Sequence, residues 1–233
     1  MNAYNTSSDP RVIGGYFVEA LETLGKCPKL VRTDHGTENG LVRDLQISLR
    51  TTHGDDLSGE RSYIAGASTA NQRIESWWGI LRKEGMEYWI QLLGELQDEG
   101  SFDGGVLDKA ILQLCVMGLI QEELNNIKDV WNAHRIRPTS NPNVPHGIPN
   151  VMYSTPELWD TEDCAMPLDQ EELDVSKGQC VLRSCVPCDE DIFDLCMIIV
   201  EELGLQFPSK SPLEAIDLYL TLRNAINTEL RDG

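Results

Sequence analysis

Residues 31–40 read Val31-Arg32-Thr33-Asp34-His35-Gly36-Thr37-Glu38-Asn39-Gly40, and this stretch indicates how the chain folds. The preceding run, residues 29–33, predicts a short strand that ends at Asp34. A carboxylate at the end of a strand projects beyond the sheet edge, where a divalent cation can reach it. For an isolated Asp-X-Gly, an aspartate that caps a tight turn is the commoner role. A second acid is needed to favour a metal site.

That second acid is Glu75, on a helix predicted over residues 70–83 with Ser68 or Thr69 as its cap. Helical spacing places an amide, a carboxylate, an aromatic ring and a cation on one face: Asn71, Glu75, Trp78 and Arg82. Three apolar residues are expected to face the core: Ile74, Trp77 and Leu81. Taken alone, a glutamate such as Glu75 is more often a solvated acid on a helix surface. With Asp34 it forms a pair of acids that can hold a divalent metal for phosphoryl transfer on nucleic acid.

The rest of the chain reads as alternating helices and short strands, hence an α/β fold. Asp9 and Pro10 open a helix that Gly25 ends, and a short strand is predicted at residues 62–65. Further helices are predicted over residues 38–49, 86–97, 106–133, 189–203 and 211–227. Residues 53–60 form a polar loop, and four prolines exclude regular structure from residues 136–150.

This order of elements, with Asp-His-Gly-Thr-Glu-Asn after a strand and Asn-X-X-X-Glu on a helix, resembles the integrase catalytic core. That core has the RNase H-like fold of retroviral integrases and related transposases. The nearest likeness is to the transposon-derived integrase core proteins of animal genomes. Residues 130–137 and 145–149 resemble the same group. We therefore expect an integrase-like domain at residues 1–155 and an acidic, mainly helical C-terminal appendage at residues 156–233.

The resemblance implies site residues, metals and a substrate. In those enzymes two aspartates and a glutamate bind two Mg²⁺ or Mn²⁺ ions, which activate water or a DNA 3′-hydroxyl for attack on a phosphodiester. By position, Asp34 resembles the second aspartate and Glu75 the glutamate, both catalytic and metal-binding. DNA contacts are expected at Asn71, Arg82, Lys83, His35 and Asn39.

Two departures from the family qualify these expectations. Forty residues separate Asp34 from Glu75, a somewhat longer interval than usual, which the loop at residues 53–60 can absorb. The family's first aspartate lies on a strand before the helix that here begins at Asp9. We therefore expect an incomplete, N-terminally truncated RNase H-like core without its first three strands. With one of three acids missing, metal binding would be weak or absent and the chain inactive.

Other functions and partners stay open at this point. The alternative is a domesticated, non-catalytic scaffold that binds protein or nucleic acid, and a fragment without function is a third reading. The net charge of −19 disfavours DNA binding, yet residues 26–83 carry +2 while residues 101–233 carry −14. The acidic C-terminal half therefore suits a protein partner. The strand at residues 29–33 would have an unpaired edge, so a homo-oligomer is also conceivable.

Targeting signals and cysteines add further expectations. No apolar run reaches the roughly 18 residues of a membrane span, and no signal segment opens the chain. We expect a nuclear or cytoplasmic protein, neither secreted nor membrane-bound. The odd number of cysteines, seven, favours reduced thiols. Cys185 and Cys188 form one Cys-X-X-Cys without a second pair, so no zinc is expected. Of the tandem Trp77 and Trp78, which could stack on bases, Trp77 should point inward.

Overall fold

The computed structural model describes residues 1–4, 6–67, 72–140 and 144–232. Two compact units arise from interleaved parts of the chain. The helical unit comprises Met1–Asn5, Ile80–Lys128 and Ser184–Gly233, and the mixed unit comprises Thr6–Gly79 and Asp129–Arg183. The predicted boundary after residue 155 does not coincide with this division. That the integrase-like domain ends at residue 155 stays a prediction.

Two helices and four short strands form the framework of the mixed unit: α1 (Pro10–Leu24), α2 (Gly40–Arg50), β1 (Lys26–Pro28), β2 (Val31–Thr33), β3 (Tyr63–Ala65) and β4 (Ala165–Pro167). The predicted caps of α1 are confirmed. The Asp9 carboxylate accepts a hydrogen bond from the backbone N–H of Arg11 at 2.8 Å, and Gly25 ends the helix in the left-handed conformation. Such a C-terminal cap needs a positive φ, which glycine adopts without steric cost.

The strands form two separate two-stranded sheets. β1 pairs with β4 in antiparallel fashion, and β2 pairs with β3 in parallel. A single strand was predicted over residues 29–33, and its second part is confirmed as β2. Its start is wrong, because Lys29 and Leu30 lie between β1 and β2, which pair with different strands. The predicted strand at residues 62–65 is confirmed as β3, one residue shorter.

The core of the mixed unit joins α1, α2 and β1 to α7 (Gln170–Lys177) through Val18, Leu21, Cys27, Leu45, Leu49 and Leu173. Gln46 is fully buried in α2, and its amide donates to the Pro28 carbonyl at 2.8 Å, which fixes α2 against β1. Arg50, also fully buried, ion-pairs with Asp55 and anchors the loop after α2. The hydrogen bond from Arg50 lowers the pKa of the Asp55 carboxyl.

Four helices make up most of the helical unit. They are α4 (Glu87–Asp98), α5 (Val106–Ala133), α8 (Glu190–Glu202) and α9 (Pro212–Asp232), and only the last turn of α5 belongs to the mixed unit. Their core includes Trp89, Ile111, Cys196, Tyr219 and Leu222. The predicted helices over residues 86–97, 106–133, 189–203 and 211–227 are confirmed. The two closing helices, α8 and α9, share this core with α4 and α5.

A buried ion pair lies inside the helical unit. Arg223 of α9 donates from Nε to the Asp108 carboxylate of α5 at 2.8 Å, and the backbone N–H of Asp103 donates to the other oxygen at 2.8 Å. Asp108 is buried. Burial opposes its ionisation, but the hydrogen bonds from Arg223 and Asp103 outweigh that effect and lower the pKa of Asp108.

The remaining helices link the site region to these cores: α3 (Gln72–Leu81), a π-helical turn (Arg82–Met86), α6 (Pro149–Ser154) and the 3₁₀ turns Thr37–Asn39, Gly59–Ser62 and Pro156–Trp159. Among the described residues, no helix has the length and apolar composition needed to cross a membrane. The chain thus mixes many helices with two small sheets, in agreement with the α/β class expected from the sequence.

Candidate metal and nucleic-acid site

Asp34 directly follows β2, as predicted, and its carboxylate is held in a fixed orientation. One oxygen, Oδ1, accepts hydrogen bonds from the Gly36 backbone N–H at 3.2 Å and from the Asn39 side-chain amide at 2.8 Å. The 3₁₀ turn Thr37–Asn39 folds the chain back so that Asn39 can reach Asp34. The second oxygen, Oδ2, accepts no hydrogen bond and no ion pair from the described residues. Asp34 thus stabilises the turn through Oδ1 and keeps Oδ2 available for a ligand.

The parallel sheet fixes the edge at which Asp34 lies. Val31 is in register with Tyr63 and Thr33 with Ala65, and the hydroxyls of Thr33 and Tyr63 share a hydrogen bond. The Gly66 N–H donates to the Thr33 carbonyl at 3.0 Å and extends the pairing to the ends of both strands. Because the carboxyl ends of parallel strands meet at one edge, Asp34 and the segment leading to α3 leave the sheet together.

Glu75 lies in the first turn of α3, ten residues after the end of β3. Its side chain is exposed, with no hydrogen bond or ion pair to any described residue. The structure therefore brings Asp34 and Asn39 into contact, and the convergence of Glu75 with Asp34 stays a prediction. No group of three or more His, Cys, Asp or Glu side chains within the described ranges is arranged to hold a metal ion.

The apolar face of α3 is confirmed in part. Leu81 is buried and Trp77 is half-buried, whereas Trp78 is exposed, as expected for the polar face. The prediction that Ile74 faces the core is wrong, since Ile74 is 46% exposed. Ile74 lies in the first turn of α3, and helical spacing alone does not show where a core ends along a helix. The predicted DNA contact Asn71 and the proposed caps Ser68 and Thr69 lie outside the described residues.

The predicted basic DNA contacts are exposed. Arg82 and Lys83 belong to the π-helical turn of the helical unit, and Arg82 ion-pairs with Glu87 at 2.9 Å. His35 is exposed beside Asp34. The DNA contacts assigned to Arg82, Lys83, His35 and Asn39 stay predictions.

A cavity in the mixed unit was not predicted as a site. It has a volume of about 600 Å³, and its aromatic and cationic lining consists of Trp77, Trp131, His134, Arg135 and Arg137; Ser76, Ile136, Val144 and Pro145 complete the wall. The centroid of the Trp131 ring lies 4.5 Å from that of Trp77 and 4.2 Å from that of His134. A signal was present in the sequence, because residues 130–156 contain no Asp or Glu in a chain that has 38.

The segment that forms one side of this cavity is closed by backbone pairing. Ile136 and Gly147 exchange two hydrogen bonds, with N···O distances of 2.8 and 3.2 Å. The Trp159 indole N–H donates to the His146 carbonyl at 2.8 Å, which adds a second tie at the same end. Ile136, His146 and Gly147 are therefore held by specific hydrogen bonds, although nearby prolines disfavour helix and long strands.

Comparison with known proteins identifies the family. A family model described as integrase core domain matches residues 2–153, about two thirds of the chain. No curated protein and no solved structure matches it significantly. The matched range contains β2, β3, Asp34, Glu75 and the aromatic cavity. The chain therefore belongs to the integrase core domain family.

Proposed function

We propose that this chain acts on DNA as an integrase- or transposase-type core, with Asp34 and Glu75 as its metal ligands and an RNase H-like arrangement of β2, β3 and α3. The observation that carries the proposal is the parallel pairing of β2 and β3. It places Asp34 at the edge from which the chain continues to the helix of Glu75. The family match supports the same reading.

The residues present fit a hydrated Mg²⁺ or Mn²⁺ ion in their chemistry. Asp34 Oδ2, the Glu75 carboxylate and the Asn39 side-chain carbonyl are oxygen donors, which these hard cations prefer. When bound, such an ion supplies Lewis-acid activation of a phosphodiester. Asn39 and the Gly36 N–H hold the carboxylate of Asp34 in one orientation, so its free oxygen is aimed before any ion arrives.

We further propose that these 233 residues alone do not catalyse strand transfer. Two-metal phosphoryl transfer needs a carboxylate that bridges both ions, and two acids supply too few ligands for that arrangement. No described acid adds a third carboxylate to Asp34 and Glu75. The residues outside those described, namely 5, 68–71, 141–143 and 233, include no Asp or Glu. The chain by itself would then bind one ion weakly.

Metal binding tests the proposed ligands. We expect Mn²⁺ to bind the wild-type chain weakly and Asp34→Asn or Glu75→Gln to weaken that binding at least about tenfold, because each removes a charged ligand. Asp44→Asn is the matched control, since Asp44 is exposed and pairs with Arg43 on α2. Electron paramagnetic resonance of free Mn²⁺ gives the affinity. Equal affinities for wild type, Asp34→Asn and Glu75→Gln would exclude these ligands.

Asn39 provides a subtler test of the same site. Removing its amide in Asn39→Ala leaves Asp34 Oδ1 with the Gly36 N–H as its remaining donor. We expect Mn²⁺ affinity to fall about tenfold, as is usual when a residue that orients a ligand is removed. The thermal midpoint should stay within about 2 °C of wild type, because Asn39 is not part of the core. An unchanged Mn²⁺ affinity would show that this hydrogen bond serves only the turn.

Turnover tests the proposed inactivity. With Mn²⁺ and a labelled oligonucleotide, nicking or strand transfer by the wild-type chain should equal that of Asp34→Asn. Activity clearly above the Asp34→Asn control would show that two acids suffice or that a third is present. DNA binding without turnover would still agree with the family, because binding and chemistry depend on different residues.

A second candidate function is a non-catalytic scaffold that binds a protein partner. The helical unit favours it, because it contains 7 Lys and Arg residues against 19 Asp and Glu residues. It also exposes apolar side chains on α8 and α9, including Ile198 and Leu213. Failure of the wild-type chain to bind any DNA at low salt, together with a normal fold, would favour this second function over the first.

A further inference from the structure

The aromatic cavity of the mixed unit has the composition of a nucleotide site. Its three rings, Trp77, Trp131 and His134, form a continuous series of contacts with tilts of 49° and 42° between neighbours. All three side chains are only half-buried, so they are open to a ligand. Any nucleobase can stack on such rings, whichever base it is, because every base has a π-face. The volume, about 600 Å³, is within the range of small-molecule sites.

The charge around the cavity favours an anion. Arg135 and Arg137 line it, both are exposed, and neither forms an ion pair with a described residue. No acidic side chain is among the lining residues, although the chain as a whole carries a net charge of −19. Two unpaired guanidinium groups beside aromatic rings match a base followed by its phosphates. An uncharged aromatic or proline-containing peptide would leave both arginines unused.

His134 adds a polar atom to this surface. Its Nδ1 lies 2.6 Å from the carbonyl oxygen of Trp131, so Nδ1 carries the proton and donates. In the neutral ring Nε2 is then left as an acceptor, and it has no partner among the described residues. An acceptor at the end of an aromatic series can bind an exocyclic amino group of a base.

The cavity is built partly on α3, the helix that carries Glu75. Ser76 and Trp77, which line it, directly follow Glu75 on α3. Ile136, Arg137, Val144 and Pro145 add to the lining, and Ile136 is paired with Gly147. Trp77 is held on α3 and Trp131 at the end of α5, and His134 is hydrogen-bonded to the Trp131 carbonyl.

From these observations we infer that the cavity binds an unpaired base of the DNA on which the core acts, with its flanking phosphates on Arg135 and Arg137. This inference rests on the proposed function, because it names the state of the DNA that the core accepts. A core with this site prefers DNA with a single-stranded end or an extrahelical base over a continuous duplex. Unstacking costs least at such positions, so the site selects them.

Fluorescence anisotropy of the full chain with two labelled DNAs tests the inference. One is a blunt duplex, and the other is the same duplex with a short 3′ overhang that contains 2-aminopurine. We expect the overhang DNA to bind about tenfold more tightly, since stacking of one base on an aromatic site contributes that much. Quenching of 2-aminopurine on binding reports the stacking itself.

Matched variants assign the preference to the cavity. Trp77→Ala should abolish the preference for the overhang and the quenching, whereas Tyr153→Ala, at an exposed aromatic residue of the mixed unit outside the cavity lining, should keep both. Because Trp77→Ala could disturb folding, Arg135→Ala/Arg137→Ala serves as a second variant with exposed positions only. It should weaken overhang binding and reduce its salt dependence, whereas Arg61→Ala/Arg183→Ala should do neither.

The outcomes separate the two proposals. Equal binding of both DNAs, or a preference that survives Trp77→Ala and Arg135→Ala/Arg137→Ala, would overturn the unpaired-base site and leave the integrase-type function standing. If neither DNA binds, both proposals fail. Binding of an aromatic or proline-containing peptide that is lost in Trp77→Ala but competes with neither DNA would also overturn the nucleotide assignment.

Discussion

Replacing Asp108 with alanine is expected to destabilise the helical unit by about 3–5 kcal/mol. The substitution leaves the Arg223 guanidinium largely buried without its close charged partner, because the other acid that it contacts among the described residues, Asp103, lies 3.9 Å away and is exposed. It also removes the acceptor for the backbone N–H of Asp103. Urea unfolding, with hydrogen exchange of α9 peptides read by mass spectrometry, measures the effect within this unit.

Asp103→Ala is the matched control for Asp108→Ala. Its carboxylate is largely exposed, accepts a hydrogen bond from the Gly105 N–H at 2.6 Å and lies 3.9 Å from Arg223, so a loss of no more than about 1 kcal/mol is expected. The double variant Asp108→Leu/Arg223→Met should recover much of the stability, since replacing a buried ion pair with apolar residues is often neutral. A loss for Asp108→Ala no larger than for Asp103→Ala would contradict our account of the buried pair.

The same pair predicts the direction of a pH effect. The pKa of Asp108 is lower in the folded chain than in the unfolded chain, because the hydrogen bonds from Arg223 and Asp103 outweigh the opposing effect of burial. Its contribution to stability is thus complete above the unfolded pKa of about 4 and is lost as pH falls through the folded value. As the pH is lowered from 5, the free energy of unfolding of the wild type should therefore fall more steeply than that of Asp108→Ala.

Gly15→Ala is expected to destabilise the mixed unit by about 1–3 kcal/mol, even though alanine is the better helix former. A Cβ atom at this position of α1 would lie 2.4 Å from the carbonyl oxygen of Val181. That oxygen belongs to the backbone, and the N–H of Val181 is itself bonded to the Arg11 carbonyl at 3.0 Å. The crossing segment therefore cannot move aside without losing a hydrogen bond to α1.

Gly94→Ala in α4 is the matched control, because a Cβ atom there meets nothing within 4 Å. It should stabilise the chain by about 0.5–1 kcal/mol through the difference in helix propensity. Thermal unfolding of both variants, followed by circular dichroism, gives the comparison. A stabilising effect of Gly15→Ala would show that residues 181 and 182 do not pack against α1 as described.

Elements fixed by nearby residues could be predicted from the sequence. The caps of α1 depend on Asp9 and Gly25 alone, and the strand that ends at Asp34 follows from its own residues and the turn after it. β1 could not be predicted, because its partner β4 lies about 140 residues further along the chain. Likewise, only the packing of α8 and α9 on α4 and α5 shows that the closing helices are part of a core.

The candidate site likewise has a local part that the sequence predicts and a long-range part that it does not. Asp34 and Asn39 are five residues apart, and their hydrogen bond belongs to a local turn that the motif already suggested. The aromatic cavity depends on Trp77 and Trp131, which are 54 residues apart in sequence and meet because α3 packs against the end of α5. Periodicity placed Trp77 on an inward face but could not identify the ring it meets or the arginines beside it.

The interleaved composition of the helical unit has a practical consequence for anyone shortening this protein. The family match stops at residue 153, yet nine of the fifteen buried residues in the core around α4 and α5 come from beyond that point. A polypeptide cut at the family limit would expose Trp89, Ile111 and Leu114 to water, and a large apolar surface of that kind promotes aggregation. Soluble expression should thus require the last fifty residues, even if every DNA contact lies before them.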